Sequence, residues 1–127
     1  MVTRRTAKAK GSSFEYDCQE SLQEIYPDIY RTAERGFQRQ YDLRSDEHKV
    51  VFECKRLKGM SWNQAKKFFL KLQEKKPEGY RGGLLFQSNR QPCLVMTYLE
   101  EEWLIVLEFE ELFKTPFKKH KSTRNRK

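Results

Sequence analysis

QYDLRSDEHKVVFECKR, residues 40–56, holds two strand-like runs, YDLRS and VVFECKR, on either side of the polar stretch Asp46-Glu47-His48-Lys49. Runs of this kind around a polar turn predict a β-hairpin. If the turn is even in length, two residues (Glu47-His48) or four (Asp46 to Lys49), Ser45 pairs with Val50 and Leu43 with Phe52. Asp42 then lies opposite Glu53. Side chains alternate with period two, so one face carries Asp42, Glu53 and Lys55 while Tyr41, Leu43, Phe52 and Cys54 take the other. An odd-length turn without a compensating bulge would turn Asp42 away.

Two carboxylates facing each other across strands have Cβ atoms about 4.5–5.5 Å apart, a destabilising arrangement unless something neutralises it. A divalent oxygen-seeking cation does so. Mg²⁺ characteristically takes one or two carboxylates, keeps several waters and binds phosphate oxygens. Lys55 emerges on the same face, within reach of that phosphate and water, and the combination points to metal-assisted phosphodiester hydrolysis. The plainer reading is a solvated hairpin in which Lys55 answers the acids by cross-strand pairing. VVFECK is mostly apolar, however, as a strand buried on both faces would be, and unpaired charge there is expensive.

On the N-terminal side, Phe14, Cys18, Leu22 and Ile25 recur at helical spacing from Gly11-Ser12-Ser13 to Tyr26-Pro27, predicting a first helix. Residues 28–35, DIYRTAER, read as a short strand or extended lead-in ended by Gly36. On the C-terminal side, Ser61 is a good N-cap for an amphipathic helix. Its apolar face is Trp62, Ala65, Phe69 and Leu72, and Lys67, Lys71 and Lys75 form another. GGLLFQSN, PCLVMTYL and WLIVLEF follow as further strand candidates. The order predicts an α/β domain with a central mixed β-sheet flanked by helices.

The 127 residues suit one domain with tails. Net charge is +8, but eleven of the 26 basic residues lie in residues 1–10 and 114–127, which contain no acid. The remaining 15 face 18 acids, so the body is slightly acidic. Within it, residues 55–81 hold nine Lys or Arg, whereas residues 99–111 hold six glutamates and no base. This organisation predicts a basic flexible arm over residues 1–10, a folded domain over 11–113 and a basic flexible tail over 114–127. Basic arms beside a basic surface suit a nucleic-acid polyanion. Arg4, Arg5, Lys8, Lys10, Arg31, Arg56, Lys58, Lys67 and Lys71 are candidate DNA contacts. The tails could equally be solubilising charge.

Cys18, Cys54 and Cys93 are odd in number and widely spaced, which supports neither a disulfide framework nor a zinc site. MVTRRTAKAK lacks the apolar stretch of a signal peptide, and no run reaches membrane-spanning length. The expectation is a cytoplasmic protein associated with nucleic acid and not with membrane.

The pattern D-(x)n-E-x-K on a hairpin, after a helix bearing a glutamate, resembles the PD-(D/E)XK nuclease superfamily, and in plan the small archaeal-type Holliday junction resolvases. The resemblance covers roughly residues 11–113: G-S-S-F-E with Gly11 and Glu15, R-T-A at residues 31–33, Y-D-L with Asp42, and F-E-C-K with Glu53 and Lys55. It implies a restriction-endonuclease-like fold and a Mg²⁺ site, with Mn²⁺ able to substitute, organised by Glu15, Asp42, Glu53 and the Cys54 carbonyl. By the same implication Lys55 is the catalytic lysine and Thr32 stands near the scissile phosphate. Tyr41 replaces the proline that often precedes the aspartate.

Glu15 and Gln64 also fit S-x-x-E/Q capping boxes with Ser12 and Ser61, and for Gln64 the cap is the preferred reading. Phe68, off the main apolar face, is a candidate dimer contact; His48 and His120 are set aside as loop and tail residues. The functional expectation is a Mg²⁺-dependent, structure-selective DNA endonuclease, a Holliday junction resolvase acting in recombination and repair as a homodimer on branched DNA. The alternatives are another nuclease of the superfamily (a nickase, a restriction-like or a DNA-end-processing enzyme) and a non-catalytic nucleic-acid-binding module.

Overall fold

The computed structural model describes residues 4–36, 41–56, 58–59 and 61–118, with side chains described from residue 13 onward. The elements, in chain order, are α1 (Arg4–Leu22), β1 (Tyr30–Arg31), a 3₁₀ turn (Thr32–Arg35), β2 (Leu43–Ser45), β3 (Val50–Arg56), α2 (Trp62–Lys75), β4 (Arg81–Gln87), β5 (Leu94–Leu99), β6 (Trp103–Glu108) and α3 (Phe109–Phe113). The six strands form one mixed sheet in sequence order. β3 and β4 run parallel and every other neighbouring pair is antiparallel. The expected α/β architecture, a mixed sheet flanked by helices, is present.

The hairpin adopts the even-length turn. Ser45 pairs with Val50 and Leu43 with Phe52, leaving Asp46 to Lys49 as the turn, with Lys49 in the left-handed region at φ 55°. From this register the two faces of the sheet follow. Phe52 and Cys54 join Phe14, Cys18 and Leu22 of α1 in one buried cluster. Ala65 and Phe69 of α2 pack against Leu84, Phe86 and Met96 in a second cluster. Adjacent residues Leu84 and Leu85 therefore serve opposite layers, as strand alternation requires.

Ser61 caps α2 as expected: its hydroxyl accepts the Gln64 N–H, and the Gln64 side chain accepts the Ser61 N–H, both at 3.2 Å. Gln64 is thus a cap residue. At the β4 end of the crossover, Gly82 and Gly83 allow close approach from both layers. A Cβ at Gly82 would lie 3.0 Å from Gln73 Nε2 and 3.2 Å from the Leu72 side chain, and one at Gly83 would lie 2.9 Å from the Phe52 ring.

Several expectations require correction. α1 begins at Arg4, not near Phe14, because Arg, Lys and Ala are strong helix formers and outweigh the single Gly11. The backbone of most of the supposed arm is therefore helical, and Ser12 lies inside a helix where it cannot cap Glu15. Trp62 is 52% exposed and leaves the α2 core face to Ala65, Phe69 and Leu72. Residues 28–35 split into a two-residue strand and a 3₁₀ turn, closed by Gly36 at φ 74°. Residues 114–118 pack back toward α1. Phe117 lies 6.1 Å from the Phe14 ring and 5.3 Å from Phe109, while the Lys118 N–H donates to Ser21 Oγ at 2.7 Å. His120 and the rest of the basic tail lie outside the described residues.

A methyl group added at residue 83 would meet the Phe52 ring, which is only 3% exposed, closer than real contacts allow. Gly83→Ala should therefore lower unfolding stability by about 1–3 kcal/mol, the usual cost of overpacking. Urea denaturation checks this; an unchanged midpoint would contradict the packing described.

Candidate functional site

The ladder between β2 and β3 stops at Leu43–Phe52, one residue short of Asp42. At that point the Asp42 N–H donates to the Phe52 carbonyl at 2.9 Å, and Asp42 Oδ2 accepts the Cys54 N–H at 2.8 Å. A side-chain oxygen thus takes the place of a backbone acceptor. The Asp42 carbonyl in turn accepts the Thr32 N–H at 3.0 Å. Both backbone groups of Asp42 and one carboxylate oxygen are fixed, by β3 on one side and by the 3₁₀ turn on the other.

Glu53 lies beside it on the α2 face of β3, with its side chain 14% exposed. Glu53 Oε2 sits 3.4 Å from Lys55 Nζ, whereas Oε1 is buried and has no hydrogen-bond partner. Burial raises the Glu53 pKa, and the negative charge of Asp42 raises it further; Lys55 and Lys75 oppose both. Glu53 and Lys55 thus pair on one strand, and the Asp42 charge lies close enough to act on Glu53. Lys55 has a second contact: its ammonium lies 4.6 Å from the centroid of the Phe68 ring, a cation–π geometry. Phe68, a candidate dimer contact on sequence, lies against this lysine and is partly buried on the α2 cluster. Helical spacing would not have revealed this contact, because it depends on the β3–α2 crossover.

The remaining expected site residues are used differently. Glu15 is buried on α1 and forms an ion pair with Arg31, its Oε1 accepting from Nε at 3.2 Å and from Nη2 at 3.1 Å. Arg31 also meets Glu34 at 3.2 Å and stacks 4.3 Å over the Tyr16 ring. Arg31 is therefore a buried structural cation and not an open phosphate contact. Thr32 is 1% exposed, and its hydroxyl donates to the Tyr41 carbonyl at 2.6 Å, so it fixes the backbone leading into Asp42. The Cys54 thiol, raised to about 11 chiefly by burial and pulled back by Cys18, also feels Asp42, Glu15 and Glu53. The three carboxylates surround this residue, but they do not share one ligating distance.

Among the described residues, one trio of donors does share it. Asp28, Glu47 and His48 each offer a ligand atom within 4.8 Å of the others, and this cluster could hold a metal ion. It lies at the turn of the β2–β3 hairpin. Ser45 Oγ donates to Asp28 Oδ1 at 2.6 Å, the Glu47 N–H donates to Oδ2 at 3.0 Å, and His48 Nδ1 stands 3.7 Å from Oδ1. Partial burial works to raise the Asp28 carboxyl, but the donors from Ser45 and Glu47 hold it below its usual value. His48 was set aside on sequence. The signal is hidden because Asp28 joins the turn through space and not through a spaced motif.

Arg56, Lys58, Lys67 and Lys71 are exposed, as phosphate contacts would need to be. Arg4, Arg5, Lys8 and Lys10 fall on the α1 backbone, with side chains outside those described. No helix among the described residues is long and apolar enough to cross a membrane. Compared with protein-family models, curated proteins and solved structures, the chain finds no match.

The raised Glu53 carboxyl predicts a pH dependence. A group whose folded pKa lies above its unfolded value stabilises the fold while protonated, and that contribution is lost as pH rises through the folded pKa. In chelator at neutral pH, Glu53→Gln should therefore stabilise the protein by on the order of 1 kcal/mol. The gain should shrink as pH falls through the raised Glu53 pKa, where the wild-type carboxyl itself becomes protonated. Thermal unfolding across pH checks this, and a neutral-pH midpoint no higher in the variant would contradict it.

Proposed function

We propose that this chain is a Mg²⁺-dependent, structure-selective DNA endonuclease with a restriction-endonuclease-like fold, similar to the Holliday junction resolvases and acting as a homodimer on branched DNA. The observation that carries this reading is Glu53 Oε1, a buried carboxylate oxygen without a donor, beside a second carboxylate and a held lysine. A buried charge left unpartnered is costly, and a hard divalent cation satisfies such an oxygen. Asp42, Glu53 and the Cys54 carbonyl are the groups that would hold it. When bound, Mg²⁺ acidifies nearby water and neutralises charge developing on the phosphate.

The chain's own residues supply position. Asp42 is locked by the Cys54 and Phe52 backbone, and Thr32 secures the segment before it. Lys55, clamped between Glu53 and the Phe68 ring, presents an ammonium to a phosphate oxygen or to the attacking water. Hydrolysis then adds water across one P–O bond, leaving a phosphate on one end and a hydroxyl on the other. Glu15 acts at one remove, tying α1 to β1 through Arg31. The exposed Arg56, Lys58, Lys67 and Lys71 suit contacts with the DNA backbone. A non-catalytic nucleic-acid-binding module is the second reading, favoured by the commitment of Glu15 to Arg31, away from a common ligand set with Asp42 and Glu53.

Cleavage of labelled four-way junction, flap, nicked and linear duplex DNA, in Mg²⁺ and in chelator, separates the two. Junction cleavage should require Mg²⁺ and fall at least about 100-fold in Asp42→Asn and Glu53→Gln, with binding retained. Phe68→Leu should cost roughly 3- to 10-fold in rate at unchanged DNA affinity, and Phe68→Tyr should restore it. Absence of cleavage in Mg²⁺ together with tight binding would favour the module.

A further inference from the structure

Among the described residues, the α1 face of the sheet is only partly covered. Val95 lies in the α1 cluster, so by strand alternation Thr97 and Leu99 of β5 face the same way, as do their partners Ile105 and Trp103 of β6. At the end of this row Leu99 is 51% and Trp103 64% exposed, side by side across the β5–β6 pair. Beside them opens a cavity of about 300 Å³, lined by Tyr26, Phe52, Val95, Ile105, Leu112 and Phe113 among others. Leu99 and Arg81 also border it. An exposed tryptophan thus stands next to an apolar hollow large enough for an indole ring.

The charges around this surface are also complementary. Arg81 is exposed at the cavity and makes no ion pair among the described residues. The turn leading into Trp103 is Glu100-Glu101-Glu102, all exposed. A knob with acids beside it and a hollow with a cation beside it lie at one end of the sheet, where Glu101 and Arg81 also border a second hollow next to α2. A two-fold axis matches such a surface to itself, because each copy can offer its knob to the hollow of the other.

We infer that the β5–β6 end of the sheet is a homodimer interface, in which Trp103 of each copy fills the cavity of its partner and the Glu100–Glu102 turn meets Arg81 across the axis. This rests on the homodimer of the proposed function and adds the surface through which it forms; because it uses no residue of the carboxylate site, its failure is distinguishable from a failure to cleave DNA. Large, well-buried tryptophans with a charged rim are the usual anchors of protein interfaces.

Sedimentation equilibrium of the full chain tests it. The protein should dimerise, and Trp103→Ala, on a folded protein by circular dichroism, should weaken the dimer at least roughly tenfold. Arg81→Glu should weaken it as well, and adding Arg at positions 100, 101 and 102 in that background should restore association. In a Trp62→Phe protein, Trp103 becomes the one indole, and its emission should shift to the blue as concentration rises through the dimer constant. A chain that stays monomeric, leaving this surface to a different partner, overturns the inference. So does a dimer constant that Trp103→Ala leaves within about twofold.

Discussion

The hydrogen bond from the Cys54 amide to Asp42 Oδ2 is the contact on which the site depends. It spans the point where the backbone ladder between β2 and β3 gives out, so it both ends the pairing and fixes a carboxylate there. Because Cys54 follows Glu53 and precedes Lys55 on one strand, this bond sets the aspartate against the acid and the lysine together. The neighbouring Thr32 backbone bond, formed by the 3₁₀ turn after β1, holds the same residue from its other side. Without either restraint the two carboxylates, which repel, would relax apart.

The hairpin was legible in sequence because a period of two leaves few choices: once the turn has even length, every later side chain is assigned to a face. The α2 capping box was legible for a similar reason, since its two partners lie three residues apart and need no tertiary contact. The α1 start was misread because charge segregation marks a polar segment but does not say whether that segment is helical. Glu15 and Arg31 illustrate the deeper limit. Each carries a charge suited to a metal or a phosphate, and only the packing of α1 on the sheet shows that they neutralise each other. The Phe68–Lys55 contact and the Asp28–Glu47–His48 cluster were illegible for the same reason, because their members meet through tertiary packing or turn geometry.

Charge is divided over the molecule in keeping with the proposed activity. Lys55 and Lys75 act on Glu53, whereas the exposed Glu100–Glu102 turn joins the last two strands at the β6 edge of the sheet. The α2 face, which carries Glu53 and Lys55, and the α1 face, which carries the apolar hollow, are kept apart by the sheet itself.

The central claim is that a divalent cation belongs at Asp42 and Glu53, although the hairpin turn offers Asp28, Glu47 and His48 as a rival. Titrating Mn²⁺ into ¹⁵N-labelled protein distinguishes the two, because a paramagnetic ion broadens nearby amide signals. Selective loss of the Glu53, Cys54 and Lys55 amides at the lowest Mn²⁺ levels is the predicted result. Broadening that starts at Glu47 and His48, or none at all, would contradict it.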